Sequence, residues 1–232
     1  MSAAPFPDRP RVDARDKVRG ATAYAADIQF PGLLYAMTVP SRIAKGTMSE
    51  ISTEAAMRVP GVVRILTPAD FPPALPPLKF PAQNAPPTLE TRIAYRGQPV
   101  ALVVAETLEA AIEAAELIRP TFAAEPFAAK MDSPGAVRED ADDVKAGDAA
   151  RVFAGATTTL EAEYVSPPQH HNPMEMLSTT AVWAGGRLTI YEGSQTSGAI
   201  KQVVARTLRL DPAIVDVKSA SVGGGFGQKG WV

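Results

Sequence analysis

The chain contains no cysteine in its 232 residues. That absence excludes structural disulfides, thiolate zinc sites, cysteine-held iron–sulfur clusters and cysteine nucleophiles from this polypeptide, so any iron–sulfur chemistry must belong to another subunit. The sequence also lacks an apolar run long enough to cross a membrane, and residues 1–10 have no apolar segment typical of a secretory signal. From these features we expect a cytoplasmic protein without a membrane segment.

Charges of the two signs nearly balance. There are 23 basic and 25 acidic residues, which gives a net charge of −2, and neither sign forms a long run. We therefore expect no nucleic-acid partner and no attraction to an anionic membrane. With 46% hydrophobic residues the chain can bury a core, as one large or two small domains, and its 22 prolines favour short elements over long helices.

Hydrophobic periodicity predicts alternating strands and helices in the first half of the chain. Thr107 can cap an amphipathic helix that must end before Pro120. The predicted strands are 33–39, 62–66, 100–105 and 122–127, and the predicted helices are 52–57 and 107–119. A strand, a helix and a return strand in succession favour an α/β layer. The proline-rich residues 70–91 are interpreted as an extended surface loop.

The second half carries its own set of elements. We expect an alternating strand at 157–164, a hairpin of 180–183 with 187–191, an amphipathic helix at 198–210 and a strand at 214–220. If the connection through the helix has the usual right-handed crossover, residues 193–197 and 223–229 lie at the same end of the sheet.

These patterns predict a chain of α+β or α/β class with two folded parts. Residues 1–127 comprise an N-terminal arm and a first domain, residues 128–156 form a linker rich in Ala, Asp and Gly, and residues 157–232 begin a second domain.

The most informative stretch is the glycine-rich run of residues 221–232. Glycine removes side chains and permits positive φ, so backbone N–H groups can surround an anionic ligand. Gly225, Gly227 and Gly230 fit a G-x-G-x-x-G pattern, but no helix of a βαβ unit can follow in two residues, and the Lys-Ser/Thr of a P-loop is missing. The run therefore predicts either a site for another phosphate-bearing cofactor or a frayed glycine-rich turn.

The residues Gly223-Gly-Gly-Phe-Gly-Gln-Lys229 resemble the Gly-Gly-Gly-Phe-Gly-Gly-Lys loop of the molybdenum hydroxylases, the family of xanthine dehydrogenase and aldehyde oxidoreductase. Residues 10–127 are similar to the a/b hammerhead domain that opens the large subunit of that family. The matching phrases lie at 18–27, 60–63, 67–70 and 98–106. Ser41-Arg-Ile-Ala-Lys-Gly46 is similar to the branch of periplasmic-type bacterial aldehyde oxidoreductases. The resemblance implies a hammerhead domain followed by the start of a mixed α/β molybdopterin-binding domain.

The resemblance also implies roles for individual residues. In the family the glycine loop lies against the molybdopterin cofactor, its Phe sits over the molybdenum centre, and a Gln of a Ser/Thr-x-Gln turn hydrogen-bonds an oxygen ligand of the metal. These roles match Phe226 and Gln195, which would lie beside molybdenum without ligating it. The implied cofactor-binding residues are Gln195, Gly224, Gly225, Phe226 and Gly227.

Each of these residues has a simpler interpretation. Gln195 could be a hydrated residue at the start of a helix, and Phe226 an apolar plug of the core. His170, His171 and Glu175 could suggest a metal site, but adjacent side chains diverge and no third spaced ligand follows, so a structural hydrogen-bonding role is preferred. Lys229 could meet a phosphate or only cap the loop.

The resemblance implies that the catalytic machinery is incomplete in these residues. The general-base Glu and most pterin contacts of the family lie in a second molybdenum domain, so no catalytic residue is assigned to this chain and that Glu is expected in a partner chain. Gln228 replaces the last glycine of the family loop, and Gly230 stands where the xanthine branch has Glu. Purine specificity is therefore not implied.

The resulting hypothesis is a piece of a split molybdenum-cofactor-binding subunit of an aldehyde oxidoreductase-type molybdenum hydroxylase, inactive by itself. The enzyme would hydroxylate an aldehyde or an N-heterocycle oxidatively, with water as the oxygen source. The implied cofactor is molybdopterin or its cytosine dinucleotide form. The implied partners are a chain with the second molybdenum domain, a 2Fe–2S subunit and an FAD subunit. The chain would be periplasmic only if one of these partners were exported by the Tat route.

Two alternatives remain from the sequence. One is a non-catalytic hammerhead scaffold or remnant that binds a partner subunit without cofactor. The other is a free-standing protein that binds small phosphorylated ligands through residues 223–229, although an incomplete sheet would then expose its apolar face.

Overall fold

The computed structural model describes residues 11–71, 89–130, 132–137 and 146–230. Most of the N-terminal arm and of the proline-rich loop lie outside these ranges. Residues 1–124 and 171–232 form one compact unit and residues 125–170 another. The helices and strands, in chain order, are α1 Ala14–Val18, β1 Tyr35–Pro40, β2 Gly46–Ser52, β3 Val62–Leu66, β4 Arg92–Ile93, β5 Pro99–Ala105, α2 Leu108–Leu117, β6 Arg119–Ala124, α3 Ala149–Ala154, β7 Thr179–Ala184, β8 Arg187–Glu192, α4 Ser197–Leu208 and β9 Val215–Lys218.

The first part of the chain forms two small antiparallel sheets. One has the strand order β1-β5-β3 and the other the order β4-β2-β6. Helix α2 packs against β1 and β5. The Oγ1 of Thr107 accepts a hydrogen bond from the N–H of Ala110 at 3.1 Å, which confirms the predicted N-cap. Fully buried Ile93, Val100 and Val103 lie in the core between these elements.

The third sheet, β7-β8-β9, supports the glycine run. Strands β7 and β8 form the predicted hairpin, and Gly185 and Gly186 at its turn both have positive φ, as a two-residue hairpin turn of type I′ requires. Strand β9 pairs parallel with β8, and α4 connects them. Because parallel strands end at the same edge of a sheet, the segments after β8 and β9 emerge side by side.

The unit of residues 125–170 has little regular structure in its described ranges. Helix α3 lies in the segment that the sequence predicts as a linker, and the carboxylate of Asp148 caps it by accepting from the N–H of Arg151 at 2.9 Å. The predicted strand at 157–164 is wrong, because these residues adopt no strand and all of them are exposed. An alternating strand is stable only when one face is buried against a neighbour, and here no face is buried.

Two other predictions of local structure differ from the structure, and two strands were not predicted. The return strand β6 begins three residues earlier than predicted, directly after α2. The helix predicted at 52–57 is reduced to the 3₁₀ turn Ala56–Arg58. Strands β2 and β4 have no counterpart among the predicted elements. Among the described residues no helix is both long and apolar enough to span a membrane.

Candidate cofactor-binding site

The turn after β8 is tied to the segment that follows β9. The N–H of Ser194 donates to the Oγ of Ser219 at 2.9 Å, and this hydroxyl donates back to the carbonyl of Ser194 at 2.6 Å. The N–H of Gln195 donates to the carbonyl of Lys229 at 3.0 Å. These bonds therefore place residues 193–197 against the glycine loop, defined here as residues 223–230, at the same end of the sheet as predicted.

The tip of the glycine loop is a tight turn. The N–H of Gln228 donates to the carbonyl of Gly225 at 2.8 Å, and the two residues between them, Phe226 and Gly227, have φ values of 51° and 99°. Positive φ at a bulky residue is uncommon and costs on the order of 1–3 kcal/mol. The Phe226 side chain is 73% exposed, so it is not a plug of the core in this structure. The turn leaves the aromatic ring largely exposed and places it over Gly224, where an added Cβ would lie 2.9 Å from the Cε2 of Phe226.

The glycines of the loop leave room for specific neighbours. A Cβ on Gly225 would lie 2.7 Å from the Oε1 of Gln195, and a Cβ on Gly227 would lie 3.0 Å from the Nε2 of His171. The side chain of Gln195 is exposed, and within the described residues its amide makes no hydrogen bond. The loop thus presents a free carboxamide beside an accessible aromatic ring and backbone.

We expect Gly225→Ala to displace the Gln195 amide without unfolding the loop, at a cost within about 1 kcal/mol, because the atom that the new methyl meets is the end of a flexible side chain. NMR should show a shifted side-chain NH₂ signal of Gln195 with little change in thermal stability. Gly230→Ala is the matched control, since its Cβ would lie 3.9 Å from the same oxygen. Equal shifts in both variants would contradict the expectation.

Glu175 joins the two ends of the glycine loop, a contact that the sequence did not predict. Its Oε2 accepts hydrogen bonds from the N–H of Gly223 at 2.6 Å and from the Nζ of Lys229, and its Oε1 accepts from the N–H of Ala25 at 3.4 Å. The Glu175 and Lys229 side chains are both buried. The sequence offered two signals for this contact. Glu175 follows a His-x-Pro-x segment, and Lys229 lies within the glycine run.

Burial by itself would raise the pKa of Glu175, but the hydrogen bonds from Lys229, Gly223 and Ala25 outweigh burial and hold the pKa below its ordinary value. A carboxyl with a lowered pKa in the folded state stabilises the fold above its unfolded-state pKa. This contribution is lost as the pH falls through the lowered value. At neutral pH the Glu175 carboxyl is therefore ionised, and both of its oxygens can accept hydrogen bonds.

The described part of the structure does not bring the two histidines together with further potential metal ligands. His171 lies next to Gly227, whereas His170 belongs to the unit of residues 125–170. Among the described residues there is no group of three or more His, Cys, Asp or Glu side chains that could hold a metal ion.

A cavity of about 610 Å³ is lined in part by the glycine loop. Its lining includes Met37 of β1, Leu177, Glu192 at the end of β8, and Gln228 and Lys229 of the loop. Burial raises the pKa of the Glu192 carboxyl, opposed by a hydrogen bond from Thr179. The cavity lining therefore mixes apolar and polar side chains and includes a carboxyl whose pKa is raised by burial.

Comparison with known families identifies the class of fold. Residues 19–126 match the a/b hammerhead domain of aldehyde oxidase and xanthine dehydrogenase. Residues 131–232 match the molybdopterin cofactor-binding domain. The chain thus combines a hammerhead domain with the start of a molybdopterin-binding domain, and it belongs to the molybdenum hydroxylase family. The predicted family is thereby confirmed over residues 19–126 and 131–232.

Individual relatives support this assignment. The chain is 33% identical over 226 residues to the aldehyde oxidoreductase molybdenum-binding subunit PaoC of Escherichia coli K12, covering 94% of this chain and 30% of the relative. It is 30% identical over 263 residues to the carbon monoxide dehydrogenase large chain of Hydrogenophaga pseudoflava, covering 95% and 32%. It superimposes on the aldehyde oxidoreductase of Desulfovibrio gigas with a TM-score of 0.76 and 26% identity, covering 95% and 27%. The chain therefore spans about a third or less of these relatives.

Proposed function

We propose that the segment 193–197 and the glycine loop form one wall of the molybdenum-cofactor site in an aldehyde-oxidising molybdenum hydroxylase. The observation that carries the proposal is the pairing of Gln195 with Gly225, where only a glycine leaves room for the Gln195 oxygen. The free amide, the exposed Phe226 and the bare backbone fit a large planar cofactor with polar edges. The chain's membership of the family supports the same assignment.

Each residue has a defined task in this proposal. The Gln195 amide donates to an oxygen of the bound cofactor without adding charge or losing a proton. The Phe226 ring limits the space beside the reacting carbon, and the backbone at Gly224, Gly225 and Gly227 admits the cofactor closely. When bound, the molybdenum cofactor supplies the acceptor for two electrons, with water as the source of oxygen. Analysis of the extracted cofactor distinguishes molybdopterin from its cytosine dinucleotide form.

We further propose that partner chains complete the enzyme. The general-base Glu and the remaining pterin contacts belong to a polypeptide that corresponds to the part of the relatives that these 232 residues do not match. These 232 residues contain no cysteine and cannot hold a 2Fe–2S cluster, so we propose that one separate subunit carries this cluster and another carries FAD. An aldehyde is the favoured substrate, because residues 41–46 are similar to the aldehyde oxidoreductase branch. An N-heterocycle is the competing substrate.

The test is native mass spectrometry with metal analysis of the complex that copurifies with the chain from its source cells. We expect molybdenum together with a larger chain, and we expect Gln195→Ala to lower turnover of an aldehyde by about 100-fold while the molybdenum content is retained. Gln202→Ala, an exposed Gln on α4, is the control and should leave turnover unchanged. A metal-free complex would contradict the proposal and favour the non-catalytic scaffold.

A further inference from the structure

Glu175 contacts three separate segments of the fold. Besides the bonds to Gly223, Lys229 and Ala25, its own N–H donates to the carbonyl of Gly223 at 3.3 Å. Its side chain is only 4% exposed and that of Lys229 only 2%. A single buried carboxylate therefore joins the start of the glycine loop, the end of that loop and the hammerhead domain.

The surrounding sequence makes room for this carboxylate. A Cβ on Gly223 would overlap the Cβ of Glu175, and a Cβ on Gly193 would lie 2.7 Å from its Oε1. Gly193 immediately precedes Ser194 and Gln195 at the end of β8. Residues 193–197 and the glycine loop thus each have a glycine where they contact Glu175. The Glu175 side chain therefore sets the distance between these two segments.

We propose that Glu175 is a positioning residue that sets the place of Gln195 and Phe226 by closing the glycine loop into a ring. The coupling to Gln195 passes through Lys229, because the carbonyl of Lys229 accepts the N–H of Gln195 while the Nζ of Lys229 bonds Glu175. The coupling to Phe226 passes through the loop that starts at Gly223. The proposal rests on the proposed function only for the identity of the ligand, since the positioning concerns residues of this chain alone.

The ion pair with Lys229 is not sufficient to explain this arrangement. A buried pair recovers in attraction about what it loses in hydration, so stability alone is a weak reason for it. A carboxylate, however, can accept several hydrogen bonds at once, whereas the ammonium of a Lys can only donate. Because the N–H of Gly223 donates to Oε2 and the N–H of Ala25 donates to Oε1, the position requires two acceptor oxygens. A Gln has only one, so its NH₂ group would face one of these donors.

The test is NMR-detected hydrogen exchange of the full chain, which needs no cofactor and therefore separates this proposal from the proposed function. The informative probes are the N–H groups of Gln195 and Gln228, since neither contacts Glu175. We expect Glu175→Gln to speed exchange at both probes at least about tenfold, while exchange in β5 and α2 stays unchanged. Glu161→Gln, at an exposed Glu, is the control.

Two further variants keep the test decisive. The exchanged pair Glu175→Lys with Lys229→Glu restores the ion pair but removes the acceptor that Gly223 and Ala25 need, so both probes should stay fast. The double variant Glu175→Gln with Lys229→Met removes both buried charges, so no unpaired charge is left to unfold the protein. Both probes should also exchange fast in this variant. Slow exchange in Glu175→Gln, or full restoration in the exchanged pair, would overturn the proposal.

Discussion

Replacing Gly46 with alanine is expected to destabilise the hammerhead domain by about 3–5 kcal/mol. Gly46 is buried at the start of β2, where it pairs with Ile93 on one side and Ala124 on the other. An added Cβ would overlap the carbonyl oxygen of Ala123 and lie 2.7 Å from the Cδ1 of Ile43. Because the carbonyl belongs to a paired strand, it cannot move without breaking the ladder. Urea unfolding measures the loss.

The matched control for this prediction is Gly97→Ala. Gly46 and Gly97 both have positive φ, at 149° and 93°, but nothing lies within 4 Å of a Cβ built on Gly97. The control therefore carries the backbone strain without the clash, and we expect it to cost roughly 1–2 kcal/mol. If both variants lose the same stability, the close approach of β2 and β6 is not what requires glycine at position 46.

The fold could be predicted where a segment carries its own signal. Val62–Leu66 and the hairpin of β7 and β8 follow from apolar runs bounded by glycine, and α2 follows from its cap and periodicity. Strand β2 carries no such signal. Its pairing with β6 shifts register between Met48 and Glu50, which breaks the alternation that a sequence pattern needs.

Part of the candidate site could likewise be predicted from the sequence, and part could not. Gln195 and the glycine loop could be placed together from topology, because the two parallel strands end at one edge of the sheet. The partner of Lys229 could not be predicted, since Glu175 precedes it by 54 residues and no local pattern links the two. The contact of Glu175 with Ala25 spans 150 residues. Such long-range hydrogen bonds depend on how the parts pack, which periodicity does not encode.

Gly223→Ala is the second substitution with a large expected effect, because it should disorder the glycine loop while the hammerhead core stays folded. An added Cβ at this position would overlap the Cβ of Glu175 and lie 3.2 Å from both the Oε2 of Glu175 and the Cε1 of Tyr24. A Cβ atom is fixed to its backbone, so residue 175 cannot rotate away. We expect a local cost of about 2–4 kcal/mol and at least tenfold faster hydrogen exchange at Gln195 and Gln228.

A comparison with Gly225→Ala separates the causes of these effects. Neither glycine has a positive φ, so the added methyl group acts through contacts alone at both positions. At Gly225 the methyl meets the mobile end of Gln195, whereas at Gly223 it meets the rigid base of Glu175. Gly198→Ala, with open space around its Cβ, is the control for the gain of a methyl group. A small effect at Gly223, equal to that at Gly225, would mean that the loop is held by its own turn and not by its contact with residue 175.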